Sequence, residues 1–201
     1  GYYVDESDSE LQNVLIDIRE ERINRGIKIV EKLIGLGIAV SLERVLEIAN
    51  EGSLGRPHIA YALVEMGVAK NPKDAFDKFI GSGSPAYVPR KVTSPFEAIE
   101  IINRNGALPV LAHPMRSNSK SGRDGIKGLN NILPEMKEKG LIGMEVHYGD
   151  YSVEQIKKLK FLSKEYDLIE CGGSDFHAAG NPIEIKPGEM GPPLDVVYQL
   201  K

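Results

Sequence analysis

Apolar residues recur through the first half of the chain at intervals of three and four. Leu11, Val14, Leu15 and Ile18 fall on one helical face, and Ile23, Ile27, Val30 and Ile34 form a second stripe. The period predicts a long helix over 7–33, ended by Gly35 and Gly37. Positions 42–50 predict a short helix, and Pro57 suits the first position of the next. Asn71 caps a fourth helix that runs to about 80. Ser94-Pro95-Phe96-Glu97 reads as a capping box opening a helix to Asn105, with Gly106 as its stop. Beyond Gly106 the rhythm changes. Apolar runs at 107–112, 142–148 and 168–172 read as strands, and helices are predicted near 128–139 and 152–166. Near-continuous apolar strands separated by helices predict a parallel sheet covered on both faces, hence an α/β class. The Pro-rich tail reads as loop up to a short helix at 194–200.

The bulk numbers narrow the possibilities only modestly. At 201 residues the chain can bury a sizeable core. Its net charge of −4 argues against a DNA or RNA coat protein, but it leaves room for a local basic pocket. A single cysteine forms no internal disulfide, which fits a reducing cytoplasm. No apolar run approaches membrane-spanning length, so a cytoplasmic location with no membrane partner is expected.

The candidate chemistry sits where the strands end. The first strand delivers His113-Pro114, the second Glu145 and His147, the third Asp175-Phe176-His177. Ligands of α/β folds gather at the carboxyl ends of parallel strands, so these residues are expected to converge. Asp and His two residues apart suit a hard or borderline divalent ion. Asp-x-His alone is as well read as a cap beside a surface histidine, but three of the four histidines following strands weigh against that. Pro114 fixes the exit of His113 from its strand. Glu145 and His147, two apart, are expected to share a face, Glu145 as a structural or supporting residue and His147 on the rim. Cys171 reads as a small core residue.

Elsewhere, Arg56 at the start of the Pro57 helix suits a phosphate through its planar fork and the free amides of a helix N-terminus. A surface salt bridge is the bland alternative. His58 could donate a proton or hydrogen bond, and Tyr87 could stack on a base or simply pack under the helical region. Arg90, Lys91, Arg116, Lys120 and Arg123 could attract a polyanion, but a solvated face is the simplest account of most of them. The run Gly81–Pro85 lacks the Lys-Ser/Thr ending of a P-loop.

Ala112-His113-Pro114, Gly143-Met144-Glu145-Val146 and Gly173-Ser174-Asp175-Phe176-His177 together resemble the PHP (polymerase and histidinol phosphatase) family. Gly55-Arg56-Pro57-His58-Ile59-Ala60 and Pro85-Ala86-Tyr87-Val88-Pro89 resemble the helical insertion of its nucleotide phosphoesterase branch. The resemblance implies the C-terminal part of a distorted (β/α)7 barrel over 94–201, with 1–4 as a remnant barrel strand and a helical insertion over 5–93. It implies two or three divalent ions (Mn, Zn or Fe), with His113, Asp175 and His177 as ligands. Arg56, His58 and Tyr87 then contact a nucleotide or short oligonucleotide, while Glu145 receives no firm role. The family's opening His-x-His motif is absent, so part of the ligand set is expected to be missing and the chain by itself to be inactive.

Three readings follow. The first is a metal-dependent phosphoesterase, of nucleoside bisphosphate phosphatase or short-RNA 5'-3' exonuclease type. The second is a metal-dependent amide or lactone hydrolase on the same architecture. The third is a non-catalytic module that binds a partner protein.

Overall fold

A computed structural model describes residues 1–50, 54–115, 126–176 and 185–201. They divide into two compact units, one of residues 9–92 and one joining 1–8 to 93–201.

The first unit is helical. Helix α1 spans Ser9–Gly35, α2 Leu42–Ala49, α3 Arg56–Glu65 and α4 Pro72–Ala75, which runs on into a π-helical turn at Phe76–Ile80. Ser41 and Asn71 cap α2 and α4 by accepting the amides of Arg44 (3.2 Å) and Asp74 (2.9 Å). The second half of α1 buries Ile29, Val30 and Leu33 against Val45, Ile59, Leu63 and Ile80. The π turn closes where the Gly81 amide donates to the Phe76 carbonyl at 2.7 Å. Helix α3 begins at Arg56, one residue earlier than the proline signal suggests, with Gly55 as its cap.

The second unit holds α5 (Pro95–Arg104), β1 (Val110–Leu111), α6 (Ile126–Glu138), β2 (Gly143–Tyr148), α7 (Val153–Glu165), β3 (Ile169–Gly173) and α8 (Val196–Gln199). Its strands form one parallel sheet in the order β1-β2-β3. Met144 and Val146 on one face of β2 pack in a core with Leu133, Met136, Leu159 and Leu162 of α6 and α7. Strand β1 is shorter than its apolar run. The amide and carbonyl of Leu108 are taken by Tyr2 in an antiparallel bridge (2.9 and 3.0 Å), and Pro109 has no amide to give. At the other end the His113 amide turns to a side chain.

The register of β2 on β3 slips at one point. Glu145 pairs with Cys171, yet His147 pairs with Gly172, leaving Val146 as an extra residue. Only glycine fits opposite this bulge, because a Cβ on Gly172 would lie 2.0 Å from the His147 carbonyl oxygen. The slip inverts the alternation of side chains from that point on.

Candidate functional site

The sheet unit brings together the carboxyl ends of its strands. The His113 amide, just past β1, donates to Glu145 Oε2 at 2.7 Å. The Tyr148 hydroxyl, at the end of β2, donates to Asp175 Oδ2 at 2.8 Å just past β3. The Tyr148 ring also meets the His113 imidazole edge-on, with centroids 6.0 Å apart. One buried tyrosine therefore spans the two residues that the sequence marks as metal ligands. The Tyr151 ring packs at a tilt against Tyr148, with centroids 4.9 Å apart, and its hydroxyl accepts the Met115 amide at 2.8 Å, fixing the exit of β1.

His113 (φ 30°) and Asp175 (φ 52°) both have positive φ, as do five non-glycine residues in all among the described residues. His and Asp tolerate positive φ better than most, but each still stores about 1–3 kcal/mol of strain. Such strain persists where surrounding contacts hold it. Here Glu145 holds the first residue by its amide, and Tyr148 holds the second by its carboxylate.

The bulge explains how β2 serves both. Glu145 faces the side of the sheet occupied by Cys171 and Tyr2. Burial and then the Glu145 charge push the Cys171 thiol up to about 11, and burial followed by the charges of Cys171 and Glu145 raises the Tyr2 phenol. In unbroken alternation Tyr148 would face the opposite side. The extra residue returns it to the side of Glu145, where it reaches Asp175.

His147 is the corresponding correction. It neither shares the face of Glu145 nor lies on a rim. Its Nε2 is buried 3.5 Å from Glu170 Oε2, and Glu170 also approaches Lys160 of α7 at 3.8 Å. The bulge has turned His147 toward the helix-covered face, where Nε2 has no hydrogen-bond partner among the described residues. Cys171 is buried and unpaired, as a core residue. His177, Arg116, Lys120 and Arg123 lie outside the described residues.

Arg56, His58 and Tyr87 belong to the helical unit. Arg56 and Tyr87 line a cavity of about 360 Å³ together with Arg22, Arg25, Phe76 and Arg90. The Arg56 guanidinium lies 5.3 Å from the centre of the Phe76 ring and reaches the Ile80 carbonyl at 3.4 Å, so the π turn positions it. His58 does not line the cavity. Its Nδ1 accepts the Gly55 amide at 3.2 Å, which places the proton of the neutral ring on Nε2. Arg25 is the residue the sequence did not mark. Its Nε–H donates to the Val88 carbonyl at 2.9 Å, and burial, Arg56 and Arg90 together lower its pKa. On α1 it lies two residues after Ile23 and two before Ile27, off that apolar stripe like any solvated arginine, so only the fold distinguishes it.

The chemistry of the donors suits a divalent cation, with an imidazole on His113 and a carboxylate on Asp175. Their number does not complete a site. No group of three His, Cys, Asp or Glu side chains is arranged for a metal among the described residues. Nor is any helix among them long and apolar enough to cross a membrane.

A mixed helix-and-sheet chain with a parallel sheet, strained residues at its strand ends and an arginine-lined cavity narrows the class, and comparison with known proteins narrows it further. No protein-family model matches the chain. It is 31% identical over 185 residues to the 5'-3' exoribonuclease Rnm of Salmonella typhimurium, covering 92% of this chain and 61% of that protein. It is 30% identical over 181 residues to a 3',5'-nucleoside bisphosphate phosphatase of Chromobacterium violaceum, covering 90% of this chain and 62% of that one. A crystal structure from Bifidobacterium adolescentis, provisionally named a metal-dependent phosphoesterase, superposes with a TM-score of 0.74 at 29% identity, over 98% of this chain and 68% of its own. The chain thus spans about three-fifths of the length of these two curated relatives.

Proposed function

We propose that the chain contributes the strand-end half of a metal-dependent phosphoesterase of the PHP type, acting on nucleotide phosphates. The observation that carries this reading is the pair of positive-φ, clamped residues His113 and Asp175, joined through Tyr148 at the ends of parallel strands. The similarity to an exoribonuclease and a bisphosphate phosphatase supports a phosphoester substrate. In this reading residues 93–201 with 1–8 are part of a distorted (β/α)7 barrel and 9–92 are a helical insertion that recognises substrate.

His113, Asp175 and His177 would hold divalent ions, which supply a lowered water pKa and charge neutralisation at the phosphate. Glu145 is not a ligand in this scheme. It fixes the His113 backbone, and Tyr148 fixes the orientation of the Asp175 carboxylate. Arg56 binds a phosphate oxygen pair through its fork at the head of α3 and Tyr87 lies against the base, while His58, outside the cavity, holds the Gly55 amide at that helix start.

Because residues 1–201 contain no His-x-His motif, they are expected by themselves to bind metal weakly and to turn over no phosphoester. The product of the complete reading frame, loaded with Mn²⁺, is expected to release phosphate or mononucleotide from a nucleoside 3',5'-bisphosphate or a short 5'-phosphorylated RNA. Metal-loaded protein that leaves every phosphoester intact would sink the proposal. An amide or lactone hydrolase would instead cleave uncharged substrates and gain nothing from the Arg56 cavity.

A further inference from the structure

The arginine-lined cavity of the helical unit does not stand alone. A second cavity of about 290 Å³ is lined by Glu21, Arg25, Lys28, Arg90 and Lys91 beside Val88 and Pro89. Arg25 and Arg90 line both cavities, so the two adjoin across these side chains. Together they gather Arg22, Arg25, Lys28, Arg56, Arg90 and Lys91 against the carboxylate of Glu21, in a chain whose net charge is −4. Among the described residues no ion pair joins Arg25, Arg56 or Arg90 to a carboxylate, whereas Arg44 is paired with both Glu47 and Glu65.

Six cations gathered around one carboxylate leave a net like-charge cost, relieved when an anion binds. Burial first, and then the charges of Arg56 and Arg90, lower the pKa of Arg25, which stands among them. Its Nε–H is fixed on the Val88 carbonyl, so the side chain is held between the two cavities rather than free to swing into solvent. The inner cavity also offers the aromatic rings of Phe76 and Tyr87, but the outer one offers none. That asymmetry matches a base and its phosphate inside, followed by a bare phosphate outside.

We propose that the outer cavity is a second phosphate subsite, formed by Arg25, Lys28, Arg90 and Lys91, which grips the phosphate following the one seated at Arg56. The ligand class is a short phosphorylated oligonucleotide, with its base-bearing end in the inner cavity. The subsite rests on the proposed function for its substrate chemistry, but it lies wholly within the helical unit and requires no metal.

The test is therefore binding in EDTA, by calorimetry on the 201-residue chain. The probes are 5'-phosphorylated diadenylate, AMP and tripolyphosphate. The dinucleotide is expected to bind at least tenfold more tightly than AMP, with a salt dependence of log K steeper by about 0.7 for the added phosphate. Exchanging Lys28→Gln and Lys91→Gln together is expected to remove most of that advantage. Both residues are exposed, so an unchanged circular dichroism spectrum and melting temperature exclude loss of fold. Equal affinity for AMP and the dinucleotide, an advantage that survives the double exchange, or no binding at all would overturn the subsite. Tripolyphosphate binding as tightly as the dinucleotide would reduce it to an unspecific anion patch and overturn it as well. Failure of the complete protein to hydrolyse phosphoesters, with this binding pattern intact, would count against the proposed function and not against the subsite.

Discussion

Two adjacent glycines at the end of β3 test the role of the bulge. A Cβ at position 172 would lie 2.0 Å from the His147 carbonyl oxygen and 2.7 Å from its carbonyl carbon and its Cβ, while one at 173 meets nothing within 4 Å. A carbonyl in a paired strand cannot rotate away as a flexible side chain can. Gly172→Ala must therefore either push β2 and β3 apart or erase the bulge. Overpacking of this kind costs about 1–3 kcal/mol, and each ladder hydrogen bond lost adds about 1 kcal/mol, so about 3 kcal/mol is expected. Gly173→Ala should lie between neutral and about 1 kcal/mol stabilising, because alanine restricts the unfolded chain. Hydrogen exchange of the β2 amides at Met144–Tyr148 isolates the sheet unit from the helical one. A loss of about 3 kcal/mol corresponds to exchange faster by about 100-fold in Gly172→Ala, with Gly173→Ala at or below the wild-type rate. If the two variants exchange within threefold of each other, the close approach at Gly172 does not shape the strand pair and the phase argument for Tyr148 fails with it.

Tyr148→Phe removes the hydroxyl that Asp175 accepts while keeping the ring against His113 and Tyr151. The expected loss is about 1.5–3 kcal/mol of stability. Mn²⁺ affinity of the complete protein, read by electron paramagnetic resonance, should fall 10–100-fold. Unchanged affinity would remove Tyr148 from the metal reading. The Cys171 thiol gives a pH prediction. Its folded pKa of about 11 lies above the ordinary 9.0, so the fold favours the neutral thiol. That contribution is intact below pH 9 and is lost as pH rises through 11, amounting to about 2 kcal/mol. The stability difference between wild type and Cys171→Ala should accordingly shrink between pH 8 and 11, and a constant difference would refute the argument.

Much of the architecture could be read from the chain. Helical periodicity located α1, α2, α5 and α7 to within a few residues, and the apolar runs located β2 and β3. These patterns are local, since each element's burial is written in its own spacing. Strand β1 was overestimated because an apolar run does not show which partner takes its backbone groups, and Tyr2 took those of Leu108. The two-residue spacing of Glu145 and His147 misled for a related reason. A bulge depends on the facing strand, here on the absence of a side chain at Gly172, and no pattern within β2 reveals it.

Residue type and local spacing are enough to mark His113 and Asp175 as candidate donors at strand ends and to put an arginine at the head of α3. That Glu145 clamps a backbone amide, that Tyr148 and not His147 reaches Asp175, and that Arg25 stands between two basic cavities emerge from the folded chain alone. Those facts depend on the phase of one strand against another and on helices packed across dozens of residues. Such relations arise from contacts between elements, so the order of residues within any one of them does not show them.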